Sequence, residues 1–182
     1  MEHYEDIDLL KMFHQEETRR QAFNLLVIKY QKKIYWIIRR LLIDHEDTND
    51  TLQNVFVKIW MNLENFEGKS SLFTWIYRIA INESVTFLNK KRRVFFLPMQ
   101  SIENDLVEKI EDDNFFNGNE IQKKLQKAIL ILPKKQKLVF NMKYFDDLKY
   151  EEMAEILNVS VGTLKSTYHI AVKKIEEYLK TN

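Results

Sequence analysis

Hydrophobic residues recur at steps of three and four through much of the chain, which is the spacing of amphipathic helices. The pattern is clearest within residues 16–42, where the apolar positions are Phe23, Leu26, Tyr30, Ile34, Ile37 or Ile38, and Leu41. A short helix is also expected over residues 7–14. The start of the chain therefore predicts a short helix followed by a long one that buries one face.

Two further helices are expected before the middle of the chain. The first follows a cap at Asp44 or Asp47. Its core positions are Leu52, Val55 or Phe56, Ile59 and Leu63. The second follows a short loop and a cap at Ser70 or Ser71. Because consecutive amphipathic helices can share one core, residues 1–94 are predicted to form a helical domain.

The composition then changes to a polar, acidic stretch. We interpret residues 95–120 as a flexible acidic linker, or as a segment loosely docked on the first domain. Helical spacing returns afterwards, and Pro133 suits the start of a helix over residues 134–144. Residues 121–182 are therefore predicted to form a second, smaller helical domain.

The last forty residues predict a helix-turn-helix. Residues 150–157 read as a short helix, residues 158–160 as a tight turn, and Ser160 as the cap of a final helix. The inward stripe of that helix is Val161, Leu164, Tyr168, Ala171, Ile175 and Tyr178. The exposed positions of its first turns are Gly162, Thr163, Lys165, Ser166, His169 and Ile170. Such a short polar face at the start of a second helix is typical of DNA-reading helices, although any helical hairpin could produce the same pattern.

Composition supports an all-α fold and restricts the chemistry. Only 3 of the 182 residues are Gly and 2 are Pro, which disfavours sheet-rich folds with many turns. There is no Cys, no Gly-rich phosphate loop and no metal-ligand spacing, and the four His are scattered. We therefore expect a non-enzymatic protein with no cofactor and no metal site. The acidic start and the absence of a long apolar run predict a cytoplasmic protein without membrane insertion.

The net charge of +1 conceals an uneven distribution. Counting Lys and Arg against Asp and Glu, residues 1–64 carry −2 and residues 65–93 carry +4. Residues 94–120 carry −6 and residues 121–182 carry +5. Two basic blocks thus flank an acidic connector. A basic block is often only a solvated helical face, but both blocks lie beside features suited to nucleic acid, which favours a polyanionic partner.

Aromatic and basic residues alternate between positions 66 and 93. The aromatic members are Phe66, Phe73, Trp75 and Tyr77, and the basic ones are Lys69, Arg78, Lys90, Lys91, Arg92 and Arg93. Unpaired bases need flat apolar surfaces on which to stack, and phosphates need cations. Helical phase assigns the core face to Ile76, Ile79, Ala80 and Phe87. At least one aromatic residue should therefore point outward, although Trp75 or Tyr77 could instead be core.

Three stretches together resemble the sigma factors of bacterial RNA polymerase, in the extracytoplasmic-function (ECF) subfamily. The first is AFNLLV at 22–27, with Tyr30 and the RRLL at 39–42. The second runs from DTND at 47–50 through Gln53, Val55, Phe56, Trp60, Phe66, SSL at 70–72 and TWIYRIA at 74–80 to Asn82. The third comprises Leu132, Pro133, YEEMAE at 150–155 and VSVGTLKS at 159–166. Their order and spacing match the two sigma regions that these small factors retain.

The resemblance implies a role for each part of the chain. Residues 1–94 correspond to sigma region 2, which docks on the polymerase clamp and melts the −10 element, and residues 121–182 to region 4, which binds the −35 element. The implied −10 residues are Phe66, Lys69, Ser70, Trp75, Tyr77, Arg78, Asn82, Lys90, Lys91, Arg92 and Arg93. The implied −35 residues are Thr163, Lys165, Ser166, His169, Ile170 and Lys173. The implied polymerase-binding residues are Asp47, Asp50, Gln53, Asn54 and Lys58.

The resemblance also implies the partners: core RNA polymerase, through its clamp and flap, promoter DNA and a cognate anti-sigma factor. Two departures from the family pattern bear on these contacts. Asn49 and Asn54 stand where acidic residues are common, which weakens the expected charge on the clamp-binding face. The final helix carries fewer cations than usual, which predicts a less salt-dependent −35 contact. The alternative is a helix-turn-helix regulator that binds DNA without polymerase.

Overall fold

The computed structural model describes residues 4–94, 106, 108–110 and 120–181, and the regular elements in this part of the chain are all helices, with no strand. The helices before residue 95 are α1 (Asp6–Phe13), α2 (Arg19–Leu42), α3 (His45–Asn62) and α4 (Leu72–Val94), with a 3₁₀ turn at Leu63–Asn65. Those after residue 119 are α5 (Glu120–Leu130), α6 (Lys134–Tyr144), α7 (Tyr150–Leu157) and α8 (Val161–Thr181). The all-α prediction is therefore confirmed.

The chain divides into two compact units. The first comprises Met1–Leu41 and His45–Phe87, and the second comprises Leu42–Asp44 and Leu88–Asn182. The predicted division at residues 94 and 120 stays a prediction. Most of residues 95–120 lies outside the described residues.

The stripe predicted on α2 forms the centre of the first unit. Leu26, Ile34 and Ile38 are at most 1% exposed, as are Ile59 of α3 and Ile76 of α4. Burying a side chain of this size stabilises the fold by about 1.5–3 kcal/mol relative to leaving it in water. The Oγ of Ser71 accepts a hydrogen bond from the Thr74 N–H (3.0 Å), so Ser71 rather than Ser70 caps α4.

A hydrogen bond and a salt bridge at the edge of this core connect α1 to α2. The Tyr30 hydroxyl donates a 2.6 Å hydrogen bond to the Asp6 carboxylate, which also pairs with the Lys29 ammonium at 2.8 Å. Burial, and then this hydrogen bond, raise the pKa of Tyr30 far above its ordinary value. The neutral phenol is therefore the form that the folded protein favours.

The core of the second unit lies among α5, α6 and α8. Its buried members are Ala128, Ile129, Leu132, Phe140, Ala171 and Ile175. Ala171 on α8 has no exposed surface, because α6 and α5 both pack closely on this helix. Packing against α5 and α6 therefore holds α8, and with it the helix-turn-helix, in place.

A second apolar cluster of this unit surrounds Ile43. Ile43 and Ile110 have no exposed surface, and they pack with Leu106, Leu130 and Leu88. Ile43 has a φ of 62°, a left-handed conformation that is costly for a β-branched residue and persists because the side chain is enclosed. The Lys109 ammonium pairs with the adjacent Asp44 carboxylate at 2.7 Å.

Candidate nucleic-acid and polymerase interfaces

A short loop and the first turn of α4 present a pair of aromatic rings. The 3₁₀ turn ends where the Phe66 N–H donates to the Leu63 carbonyl (3.2 Å), and Gly68 then turns the chain with a φ of 69°. The centroids of the Phe66 and Trp75 rings lie 5.4 Å apart, with the ring planes at 55°. Both side chains are half-buried, so each keeps surface open to solvent. Such surface is what stacking on an unpaired base requires.

Tyr77 is not part of this surface, which corrects the expectation that it stacks on bases. Its side chain is only 1% exposed, and its ring meets that of Phe73 edge-on at 5.8 Å. Phe73 in turn stacks on Tyr30 at 5.9 Å, with the ring planes 18° apart. The core alternative considered for Tyr77 therefore describes its position, because these three rings fill the space between α2 and α4.

Polar and basic candidates continue along the outer face of α4. Trp75, Arg78 and Asn82 are spaced by three and four residues and therefore share one face. Arg78 is half-buried and Asn82 is exposed. Lys90 and Arg93 are exposed and Lys91 is half-buried, whereas the side chain of Arg92 lies outside the described residues.

The loop itself carries the remaining candidates. Lys69 is exposed and forms a salt bridge with Glu67, and Ser70 is half-buried. The structure thus brings Phe66, Trp75, Arg78 and Asn82 towards one side of α4, with Lys69 on the adjoining loop.

The polymerase-binding candidates lie on α3. Asp50, Gln53, Asn54 and Lys58 are exposed, and Asp47 is half-buried near the start of the helix. Lys58 forms a salt bridge with Glu83 of α4, so this cation is partly neutralised within its own unit. These candidates therefore form a polar patch on α3 that carries no net positive charge.

A groove between α2 and α3 borders the same face, and the sequence analysis missed it. Its volume is about 530 Å³, and its lining residues are Phe23, Val27, Gln31, Leu52, Gln53, Phe56, Val57 and Trp60. The Phe23 ring meets Trp60 edge-on at 5.0 Å and Phe56 at 6.4 Å. Val57 is 50% exposed and Trp60 37%. The signal in the sequence is the excess of apolar residues on α3, more than one buried face can accommodate.

The helix-turn-helix forms as predicted from the spacing of its caps and apolar positions. Asn158 closes α7 with a left-handed φ of 53°, a conformation that Asn tolerates well. The Oγ of Ser160 then accepts the Thr163 N–H at 3.2 Å and caps α8. Leu164 and Ala171 face inward and are buried.

The predicted −35 candidates share the opposite, outward side of α8. The exposed residues there are Gly162, Thr163, Lys165, Ser166, His169, Ile170, Lys173 and Lys174. Ile170 is 46% exposed, an unusual position for an aliphatic residue on a polar face. A protruding helix start of this kind can enter a major groove, where Lys and Ser meet base edges and an apolar group meets a thymine methyl.

Other kinds of site find no support in the described part of the chain. Residues 4–94, 106, 108–110 and 120–181 contain no cluster of His, Cys, Asp and Glu that could hold a metal ion. Within the same residues, no helix is long and apolar enough to cross a membrane.

The fold and these surfaces together define a class of protein. One unit carries a helix-turn-helix with an outward polar helix start, and the other an aromatic pair beside exposed cations. This is an all-helical fold with two separate candidate DNA-binding surfaces.

Comparison with known proteins agrees with that class. The family described as "Sigma-70 region 2" matches residues 26–94, and that described as "Sigma-70, region 4" matches residues 122–175. The RNA polymerase sigma-H factor of Pseudomonas aeruginosa is 31% identical over 177 residues, which cover 88% of each chain. The ECF RNA polymerase sigma-E factor of Haemophilus influenzae is 30% identical over 173 residues, with 91% of each chain covered.

A solved structure shares the fold. The sigma factor RpoE of Bartonella quintana, in complex with the anti-sigma factor NepR, superposes with a TM-score of 0.68. It is 20% identical and covers 89% of this chain and 99% of its own. The chain belongs to the sigma-70 family of RNA polymerase sigma factors, in its extracytoplasmic-function subfamily. It is a polymerase-associated initiation factor and not an enzyme, and the alternative of an independent regulator is not supported.

Proposed function

We propose that this sigma factor captures −10 bases with the Phe66–Trp75 pair and reads −35 duplex with the start of α8. The observation that supports the first part is the half-exposed pair of rings beside Arg78 and Asn82. Stacking on an aromatic ring contributes about 1–3 kcal/mol per base, and a nearby guanidinium can neutralise a phosphate. The second part is supported by the cluster of exposed polar side chains on α8, which a buried stripe orients outward.

Run-off transcription tests the proposal as a whole. Core RNA polymerase is incubated with and without the protein on a set of upstream DNA fragments. We expect promoter-specific transcripts only when the protein is present. Tight binding of duplex DNA by the free protein, combined with failure to program core polymerase on any fragment, would contradict it.

We further propose that core polymerase docks on the exposed face of α3 and on the adjoining groove. The Asp50 carboxylate can accept hydrogen bonds from polar partner helices, and the amides of Gln53 and Asn54 can both donate and accept them. Val57 and Trp60 offer apolar area beside them. Polar contacts around an apolar centre are the usual composition of a protein interface.

The same proposal includes an anti-sigma factor as a second partner, which would block initiation by covering this face. Cytoplasmic placement follows from the polymerase partner.

A matched pair of substitutions tests this docking surface. Val57→Asp places a charge at the groove, whereas Ile28→Asp places one on α2 at a residue of similar exposure (57%) that does not line the groove. Because an interface that covers Val57 would bury an unpaired carboxylate, Val57→Asp should weaken binding to core polymerase at least about tenfold. Ile28→Asp should bind as the parent does. Equal affinities of both variants and the parent would refute the assignment of the groove.

A further inference from the structure

The ring of Tyr150 joins three helices of the second unit. Tyr150 is the first residue of α7 and is half-buried. The Lys143 ammonium, from α6, lies 5.6 Å from its ring centroid, and the Lys165 ammonium, from α8, lies 5.7 Å from it. Both distances are within the range of cation–π attraction. One tyrosine therefore connects the candidate DNA-reading helix to the helix that precedes the hairpin.

The two lysines are held very differently. The Lys143 ammonium also donates to the Leu148 carbonyl at 3.1 Å and to the Asp147 carboxylate at 3.2 Å. Lys165 is exposed, and in the described part of the chain the ring of Tyr150 is the sole partner recorded for its ammonium. Lys143 is thus anchored through its N–H donors, whereas the donors of Lys165 remain available.

The chain around Tyr150 is itself fixed. The Lys149 N–H donates to the Glu152 carboxylate at 2.8 Å, which holds the first turn of α7. Leu148 is buried, and its N–H donates to the Met142 carbonyl at 3.1 Å. The backbone that carries Tyr150 is therefore held by contacts that do not involve Lys165.

We propose that Tyr150 is a positioning residue for Lys165 in −35 recognition. A cation held over a ring face is restricted in direction but keeps its N–H donors, so Lys165 meets the major groove already oriented towards an acceptor such as guanine O6 or N7. A free lysine would lose this orientation to rotamer freedom. The inference rests on the proposed role of α8 in reading the −35 element.

The test uses holoenzyme reconstituted from core polymerase and the full chain. Competition binding is measured on promoter fragments that carry each single base-pair substitution in the −35 element. Lys165→Ala identifies the base pair that Lys165 reads, through a loss of discrimination of about 5- to 150-fold at that position. Tyr150→Leu should reduce discrimination at the same base pair by about two- to fivefold. Tyr150→Phe, which keeps the ring, should discriminate as the parent does.

Two further measurements distinguish positioning from a structural role. Tyr150→Leu combined with Lys165→Ala should discriminate no worse than Lys165→Ala alone, since the ring acts through that lysine. The salt dependence of binding should be unchanged in Tyr150→Leu, because no phosphate contact is removed. A loss spread evenly over all −35 positions, or an additive loss in the double variant, would overturn the inference. If the parent holoenzyme ignores every −35 substitution, the proposed role of α8 fails, and the inference fails with it.

Discussion

At the scale of single residues, Phe66 and Tyr77 are both aromatic, but Phe66 is half-exposed whereas Tyr77 is buried. Phe66 lies on a loop and its ring contacts Trp75, while Tyr77 lies one turn into α4 and its ring contacts Phe73. Only the first of these rings can reach a base without unfolding. We therefore expect Phe66 to contribute to DNA binding and Tyr77 to stability.

Substitution of Phe66 should affect the binding of single-stranded DNA and leave the stability of the fold unchanged. We expect Phe66→Ala to weaken binding of holoenzyme to a single-stranded −10 oligonucleotide by about 5- to 150-fold, the loss of one stacking contact. Its midpoint of thermal unfolding should stay close to that of the parent. The control is Ile7→Ala, which truncates a 61% exposed apolar residue distant from Phe66 in sequence and should leave DNA binding unchanged. An undiminished affinity of Phe66→Ala for the oligonucleotide would remove this residue from the capture site.

Tyr30 predicts a pH dependence of stability whose sign follows from its raised pKa. The folded state holds the phenol proton more tightly than the unfolded state, where the pKa is about 10. Its contribution to stability is therefore complete below about pH 10 and is lost as the pH rises towards the higher folded pKa. We expect Tyr30→Phe, which removes the hydrogen bond to Asp6, to lower the free energy of unfolding at pH 7 by about 1–2 kcal/mol.

Denaturant unfolding of parent and Tyr30→Phe at several pH values checks this expectation. The difference in stability between the two proteins should be constant from pH 7 to about pH 9 and should shrink above about pH 10. A difference that grows with alkaline pH would show that the neutral phenol is not the favoured form.

At the scale of helices, the caps determine where the DNA-facing elements begin. Ser71 and Ser160 each accept the N–H three residues later, at the starts of α4 and α8. Each cap places the first outward-facing turn of its helix, and that turn holds candidate DNA-binding residues. Helix α8 is then held by its buried stripe, so its orientation does not depend on the exposed side.

Removal of the α8 cap should destabilise the second unit. We expect Ser160→Ala to lower its free energy of unfolding by about 1 kcal/mol, because the Thr163 N–H loses its acceptor. Ser166→Ala on the same helix is the matched control, since Ser166 is exposed and should change stability by less than about 0.5 kcal/mol. Circular dichroism during urea unfolding measures both. Equal stability of the two variants would show that Ser160 does not act as a cap in solution.

At the scale of the whole molecule, the charge is unevenly distributed, and an acidic block lies between two basic blocks along the chain. The net values of +4, −6 and +5 for residues 65–93, 94–120 and 121–182 place cations beside both candidate DNA surfaces. Phosphate contacts of this kind contribute affinity without sequence information, and they weaken as salt rises. We therefore expect the basic blocks to contribute mainly to affinity for DNA, and the candidate base-facing side chains to the choice of promoter.

This division predicts a measurable change in salt dependence. Replacing the exposed Lys90 and Arg93 with Gln should make the slope of log affinity against log salt less steep by up to about 1.8, which corresponds to two phosphate contacts on duplex DNA. Preference among −10 sequences should stay as in the parent. The control replaces Lys134 and Lys135, two exposed cations at the start of α6 outside the candidate surfaces, and should not change the slope. An unchanged slope in the first variant would place the end of α4 outside the DNA interface.

The sequence by itself determined the helices, the Ser160 cap and the outward side of α8, but it left the cap of α4 open between Ser70 and Ser71. These features depend on periods of three to four residues and on hydrogen bonds between near neighbours, so local spacing contains the information. The family resemblance, confirmed by comparison, added the function that spacing alone could not supply. The candidate site residues came from residue type and helical phase together with that resemblance.

Only the tertiary structure decided which of the similar aromatic residues are enclosed and which remain open. Tyr77 is buried against Phe73, whose ring stacks in turn on Tyr30 of α2, while Phe56 and Trp60 line a groove because α2 leaves space beside them. The contact of Lys165 with Tyr150 and the strained Ile43 likewise depend on residues distant in sequence. Such contacts are set by how helices pack against one another, and a pattern along a single helix does not contain that geometry.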